Sequence, residues 1–530
     1  MSIPSSEALA EVIRLGWASG AALALIKPEV GEADLLDIID RYDPSLLVRE
    51  DGAAGATAVF RSAAAPHPRP VTDGSVTVFT SGTTARPKGV VLPRAAVMGN
   101  ALKTARVHGF GSGRPHGTCL ELFHVNALMM SLLGTHLTGE ALTLDFSGSP
   151  SAYFSRLEAA GARTASTNPR VLRRLVDEAP PWPKGLEYVI TAAGPCGRNL
   201  ATDFYELYGP RLRQGYGMSE AVNFSFMMPF VQDRPRFASL YLARRPPIGH
   251  PVEDTHYMID GGELLIRTPD LMDGYLQDEH AGSVTGGWLH TGDFAEVRDG
   301  MVVLLGRVSE AIDVPGLPRP PGAIEDRLDL AVDAGDHAVV RIPGRPGVAV
   351  FTSRPLRTGL LPDITGRPGL PVFLVCADEL MLSGSGKVRR SRMSDRAEAI
   401  LDSVERAIGV PDAVTRRELV PEALLGRGVD SPDAAAGRPL VAGLGCGCHV
   451  QRKPSVTTIE YGAGCPDPER HLPETAVDTE WLVLLAAGGR GGPADRRRFH
   501  PGSAGDGGHQ LHRYARTASG WSAVALRRGR

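Results

Sequence analysis

Lysine is scarce in this chain. Of its 57 lysine and arginine residues only six are lysine, at positions 27, 88, 103, 184, 387 and 453. So strong an arginine bias reads as a mark of GC-rich coding sequence rather than of a basic functional surface. Net charge is also lacking, at a formal −3, which leaves no positive excess to follow a phosphate backbone, and a nucleic-acid partner is not expected. No uninterrupted apolar run approaches the ~18–20 residues of a membrane span, and no basic-plus-apolar leader opens the chain. A cytoplasmic, reduced protein without a membrane partner is the expectation. Cysteines number six. Cys119, Cys196 and Cys376 are isolated in apolar surroundings and read as buried thiols. Cys446 and Cys448, with His449 adjacent and Cys465 further on, match no common zinc spacing.

What is present begins with one stretch, Thr80-Ser81-Gly82-Thr83-Thr84-Ala85-Arg86-Pro87-Lys88-Gly89-Val90. It follows a β-type run, Val76 to Phe79, and precedes a helix expected from near Arg94. Hydroxyls, glycines and a lysine so close together suit a loop that wraps a polyphosphate. The hydroxyls and backbone N–H groups donate, glycine permits close approach, and lysine carries the charge. It is not a Walker loop, because Pro87 stands where that pattern needs its second glycine. Alone, the stretch reads equally as a polar surface turn.

The rest of the chain can be taken in order. Helices are expected over Ala8–Leu15 and Ala33–Ile39, and strands over Ala21–Ile26 and Ser45–Val48. Glu121 to Asn126 runs into an apolar helix over Ala127–Leu133, with His124 beside it. Asn168 and Pro169 are a cap and first-turn proline ahead of a helix through Leu175. A strand over Leu186–Ile190 leads to Ala193-Gly194-Pro195, and a further helix to Gln214-Gly215-Tyr216-Gly217-Met218-Ser219-Glu220. Strands are expected over Glu263–Arg267 and Met301–Leu305, with Trp288 to Asp293 on a loop between them. A small α+β segment follows, with strands at 337–342, 348–353 and 372–376, and closes on Ser383-Gly384-Ser385-Gly386-Lys387. Beyond 410, Gly, Pro, Arg and Ala dominate and periodicity fades apart from Trp481–Leu485, so 410–530 reads as a largely disordered, low-complexity tail.

Taken together, five ordered blocks resemble the AMP-forming adenylating enzymes: acyl-CoA synthetases, adenylation domains and luciferases. They are Thr80–Val90; Ala193-Gly194-Pro195; Gln214–Glu220; Thr291-Gly292-Asp293 with Gly306-Arg307; and Gly384–Lys387. The resemblance runs from about residue 20 to 395. It implies an α/β fold: a large multi-layer N-terminal domain over 1–306, shortened at its start, and a small α+β C-terminal lid over 307–395. It implies ATP and Mg²⁺ as cofactors. Thr80, Ser81, Gly82, Thr83, Thr84 and Lys88 would hold the β- and γ-phosphates. Ala193, Gly194 and Pro195 would lie beside the adenine, and Gly215, Tyr216, Gly217 and Ser219 would flank it. Glu220 would hold the metal, Asp293 and Arg307 the ribose hydroxyls, and Lys387 the substrate carboxylate and α-phosphate.

Departures from the family pattern accompany the match. Ala85 replaces a glycine, at a cost of about 1 kcal/mol where φ is positive. Glu310 stands at the hinge position, Asp313 replaces a usual lysine, and the run Pro315 to Pro321 is stiff with proline. Phe123-His124-Val125-Asn126 is similar to the acyl-CoA ligase version of its block, with His124 as a catalytic candidate. No Asp stands there to pair an α-amino group. Asn223, Phe224 and Phe226 line either the acyl pocket or the core. The expected function is activation of a small carboxylic acid to acyl-AMP, then transfer to CoA or a phosphopantetheine thiol on an acyl carrier protein. Transfer to an amine, and a degenerate nucleotide-binding protein without turnover, are the alternatives.

Overall fold

The computed structural model describes residues 5–28, 30–42, 44, 46–51, 55–60, 74–80, 88–276, 283–314, 317–331, 336–344, 347–352, 372–376, 380–383 and 387–407, and strand segments between 440 and 527. The chain divides into two units. The first is Met1–Leu305 with Ser383–Lys387, and the second Gly306–Leu382 with Val388–Arg530.

The first unit is layered α/β. Its largest sheet has seven strands, in the order His250–Pro251, Phe224–Met227, Leu212–Gly217, Tyr188–Thr191, Thr164–Thr167, His116–Thr118, Leu142–Leu144. The five from Leu212–Gly217 to Leu142–Leu144 run parallel. Thr164–Thr167 and Tyr188–Thr191 are buried at every residue, as strands covered on both faces must be. Helix Pro169–Glu178 starts where expected: Asn168 Oδ1 accepts the Val171 N–H at 2.9 Å, and Pro169 occupies the first turn. A second sheet orders Leu23–Leu25, Val76–Thr80, Lys88–Leu92 and Gly274–Tyr275. A third is built on His256–Asp260, Glu263–Arg267 and Trp288–Arg298.

Two expectations are corrected here. The apolar run after His124 is wound as a π-helix, Asn126–Gly134, with every residue buried. Trp288 to Asp293 is not a loop but the first half of a strand. Its pairing with Glu263–Arg267 slips by an irregularity between Glu263 and Leu265, so Thr-Gly-Asp forms a bulge, which local sequence alone does not separate from a turn. One buried polar cluster ties the parallel strands to the π-helix. His116 Nδ1 lies 2.9 Å from Thr164 Oγ1, and Nε2 lies 3.1 Å from Ser131 Oγ and 3.2 Å from Ser166 Oγ. Burial above all lowers the His116 pKa to about 3.

In the second unit, His337–Arg341 pairs antiparallel with Val348–Thr352, which pairs parallel with Val372–Cys376. Helix Pro321–Ala331 lies against this sheet. Glu325 accepts from the Val339 N–H at 2.9 Å and from Arg390 at 2.6 Å. Most of the region beyond 410, expected as a largely disordered tail, lies outside the described residues. Its described residues form a five-stranded sheet, Leu440–Gly443, His449–Lys453, Val456–Glu460, Trp481–Ala487 and Trp521–Arg527. The apolar run at Trp481 pairs on both sides, in parallel with Val456–Glu460 and antiparallel with Trp521–Arg527. Cys446, Cys448 and Cys465 lie outside the described residues.

Candidate active site

Strands Val76–Thr80 and Lys88–Leu92 form an antiparallel hairpin in which Thr80 pairs with Lys88. This places the two ends of the phosphate-type loop side by side. Ser81, Gly82, Thr83, Thr84 and Ala85 lie outside the described residues. The Lys88 ammonium sits 5.8 Å from the ring centroid of Tyr275. Tyr275 is there because Gly274 and Tyr275 pair with Val91 and Val90. Its hydroxyl donates to Glu220 Oε1 at 2.9 Å. Lys88 and Glu220, both expected from sequence, thus flank a tyrosine that sequence reasoning missed.

Glu220 sits on the single turn Ser219–Ala221, just past strand Leu212–Gly217. Its carbonyl accepts the Met272 N–H at 2.9 Å. The next residue, Val222, is fully buried with φ 64° and ψ −60°, and the Asn223 N–H reaches the Ala221 carbonyl at 2.7 Å. This is a γ-turn of the rare hand, in a region a β-branched residue seldom enters. Such strain costs on the order of 1–3 kcal/mol and collects at functional sites. Gly217 is required by the same feature, since a Cβ there would stand 1.6 Å from the Asn223 carbonyl oxygen.

Tyr216 and Asp293 meet directly: the tyrosine hydroxyl donates to Asp293 Oδ2 at 2.6 Å. Asp293 is buried on the bulge of strand Trp288–Arg298. There Thr291 Oγ1 donates to the Leu264 carbonyl at 2.6 Å and accepts the Asp293 N–H at 3.1 Å. The Gly292 N–H is held by Glu263 Oε1 at 2.8 Å. The turn Ala193-Gly194-Pro195 is tied to the Gly215–Tyr216 strand by Gln214, whose Oε1 accepts the Cys196 N–H at 2.8 Å and whose Nε2 donates to the Pro247 carbonyl at 2.9 Å. Ala193 adopts φ 68°, a left-handed conformation that costs an alanine roughly 1 kcal/mol.

His124 is half-buried, its ring 5.2 Å from that of Phe123. Burial first, then the charges of Lys27 and Lys387, lower its pKa to about 4, so the ring is neutral at neutral pH. Lys27 lies 5.7 Å from the Phe123 ring centroid. Lys387 is exposed, its N–H donating to Ser383 Oγ at 3.0 Å and its carbonyl accepting the Ser383 N–H at 2.8 Å. Gly384, Ser385 and Gly386 lie outside the described residues. Asn126 Oδ1 and Nδ2 and Asn223 Nδ2 are buried without a hydrogen-bond partner, which buried amides rarely are. Phe224 and Phe226 are buried to 1% and 0% exposure in two apolar clusters, which places them in the core.

Arg307 and Glu310 fall in the second unit. Glu310 ends a short turn, Val308–Glu310, with Oε2 3.6 Å from Arg390 Nε. Burial raises its pKa, against the opposing charges of Arg390 and Arg307. Ile312–Val314 and Leu317–Arg319 pair as a hairpin, while Pro315 and Gly316 at its tip lie outside the described residues.

Among the described residues no group of three or more His, Cys, Asp and Glu side chains could hold a metal unaided, and no helix is long and apolar enough to cross a membrane. A lone carboxylate such as Glu220 suits an ion whose other ligands are phosphate oxygens and water, as Mg²⁺ prefers.

Residues 16–276 match the family model described as AMP-binding enzyme. The chain is 27% identical over 292 residues to a probable CoA ligase of Humulus lupulus, covering 51% of this chain and 54% of that one. It is 30% identical over 285 residues to 4-coumarate–CoA ligase 2 of Oryza sativa subsp. japonica, covering 49% of each. It therefore spans about half the length of these curated relatives. Its fold is similar to that of O-succinylbenzoate coenzyme A synthetase from Bacillus subtilis, solved in complex with ATP and magnesium ion. The TM-score is 0.59 at 21% identity, over 74% of this chain and 88% of that one. Residues 16–276 thus carry an AMP-binding enzyme match, and in that segment the chain is similar to the adenylate-forming CoA ligases.

Proposed function

We propose that the protein activates a carboxylic acid with ATP and passes the acyl group to the thiol of CoA. A carboxylate oxygen attacks the α-phosphorus, the bond to the bridging oxygen breaks, and pyrophosphate leaves. The thiol sulfur then attacks the acyl carbon, loses its proton and displaces AMP. The observation that carries this reading is the 2.6 Å hydrogen bond between Tyr216 and Asp293. It joins the ring that would flank adenine to the carboxylate that would hold the ribose hydroxyls. Thr80 to Lys88 would take the β- and γ-phosphates, and Asp293 the ribose hydroxyls. Glu220 would hold Mg²⁺, which when bound neutralises phosphate charge.

Charge in such a transfer is spread over phosphoryl oxygens, so positioned cations and donors carry most of the catalysis. Lys387 is suited to this role, bridging the substrate carboxylate and the α-phosphate, and the grouping of Ser383–Lys387 with the first unit supports it. Glu310 would serve as the hinge of the lid. The neutral His124 and the lack of an Asp in Phe123-His124-Val125-Asn126 to pair an α-amino group favour an acyl group without an ammonium. A carrier-borne phosphopantetheine presents the same thiol and is the alternative acceptor.

The test is acid-dependent ATP–pyrophosphate exchange over a panel of carboxylic acids. Aryl and short-to-medium acyl acids are expected to support exchange better than proteinogenic α-amino acids. A preference for an α-amino acid would overturn the substrate class, and no exchange with any acid would overturn the activity.

A further inference from the structure

Tyr275 lies outside every motif read from the sequence, yet two of them meet on it. Its hydroxyl donates to Glu220 Oε1 at 2.9 Å, and its ring stands 5.8 Å from the Lys88 ammonium. The side chain is buried at 9% exposure, and its backbone is pinned throughout. The Met272 N–H donates to the Glu220 carbonyl at 2.9 Å, the Asp273 N–H to Val91 at 2.9 Å, and the Leu276 N–H to Gly89 at 2.7 Å. One short segment is therefore bonded to the turn that carries Glu220 and to the strand that carries Lys88.

Glu220 is an unbranched side chain on a single turn next to a strained residue, so little in its own backbone fixes its carboxylate plane. A donor on one oxygen fixes that plane and leaves the second oxygen for a cation. Groups that orient a ligating side chain in this way are worth about 10- to 100-fold in metal affinity. We infer that Tyr275 is a positioning residue: its hydroxyl orients Glu220 toward the Mg²⁺ of bound nucleotide, and its ring seats Lys88 by cation–π attraction. This rests on the nucleotide reading above.

The two contributions separate by substitution. Tyr275→Phe removes the hydroxyl and keeps the ring; Tyr275→Leu removes both. The full chain with α,β-methylene-ATP, whose carbon bridge cannot be cleaved to give AMP transfer, is titrated with Mn²⁺ and the free-ion electron paramagnetic resonance signal is followed. Calorimetry with EDTA present gives the nucleotide affinity without metal. Tyr275→Phe is expected to weaken Mn²⁺ uptake about 10-fold or more, with a far smaller change in metal-free nucleotide affinity. Tyr275→Leu is expected to weaken both. In the Glu220→Gln background, Tyr275→Phe should add little, because the side chain it orients no longer carries a charge.

Wild-type Mn²⁺ affinity in Tyr275→Phe, or an equal fall in both affinities, would overturn the assignment while leaving the nucleotide site standing. A wild-type chain that takes up no Mn²⁺ with the nucleotide would instead bring down the reading beneath it.

Discussion

At the scale of single residues, the sharpest test is Lys387→Ala. Acyl-AMP formation should slow by roughly 10²–10³-fold, the scale for removing a positioned charge-stabilising donor. Transfer from supplied acyl-AMP should be nearly unaffected, because the role proposed for the lysine lies in the first half-reaction. Single-turnover assays of each half-reaction check this, and equal slowing of both would refute it. Lys88, Tyr216, Glu220 and Asp293 could be singled out as candidates from the sequence because each sits inside a short run whose residue types match one chemistry. Tyr275 could not, since its bond to Glu220 spans 55 positions and is set by strand pairing. The γ-turn at Val222 was equally hidden, because nothing in Ala221-Val222-Asn223 favours a positive φ.

At the scale of elements, helix starts read well where chemistry marks them, as at Asn168 and Pro169. The π-helix Asn126–Gly134 did not. Its residues are apolar or small all round, and a segment buried on every side carries no periodicity that separates one helical winding from another. His116 joins this helix to two parallel strands, and its pKa of about 3 lies well below the ordinary 6.5. Between those values the unfolded chain binds the proton and the folded chain does not, so stability is lost as pH falls through that window. His116→Gln should lower stability at neutral pH by loosening the cluster. It should also flatten the acid dependence, by up to about 1.4 kcal/mol per pH unit. Urea unfolding between roughly pH 4.5 and 6.5 reads the slope. A slope equal to that of the wild type would mean that the ring is already protonated in the folded protein.

At the scale of the whole molecule, the match to the magnesium–ATP complex covers 74% of this chain but 88% of that one. The family match ends at residue 276, and the helix Arg390–Ala407 precedes the long Gly- and Arg-rich region. A chain ended at Ala407 should therefore keep the cooperative melting of its first unit and the nucleotide affinity of the full protein. Calorimetry at matched purity checks both, and loss of that transition would show that the strands from Leu440 onward contribute to it. The layered α/β character was readable from alternating strand and helix signals. The short strand segments described between 440 and 527 carry little sequence signal, because short apolar stretches separated by glycine and proline look alike whether or not they pair.

The distribution of primary amines has a practical consequence. Lys103 is buried in an ion pair with Asp270 at 2.9 Å. Lys27 lies against Phe123, Lys88 against Tyr275, and Lys387 is exposed and acts on His124. Of the six lysines, Lys27, Lys88 and Lys387 stand beside candidate-site residues and Lys184 is exposed, while most of the chain's positive charge is guanidinium. With so few amines on the chain, an acylating dye, a crosslinker or an activated resin would find the exposed Lys387 among its main targets beside the exposed Lys184, and coupling that avoids side-chain amines would spare it.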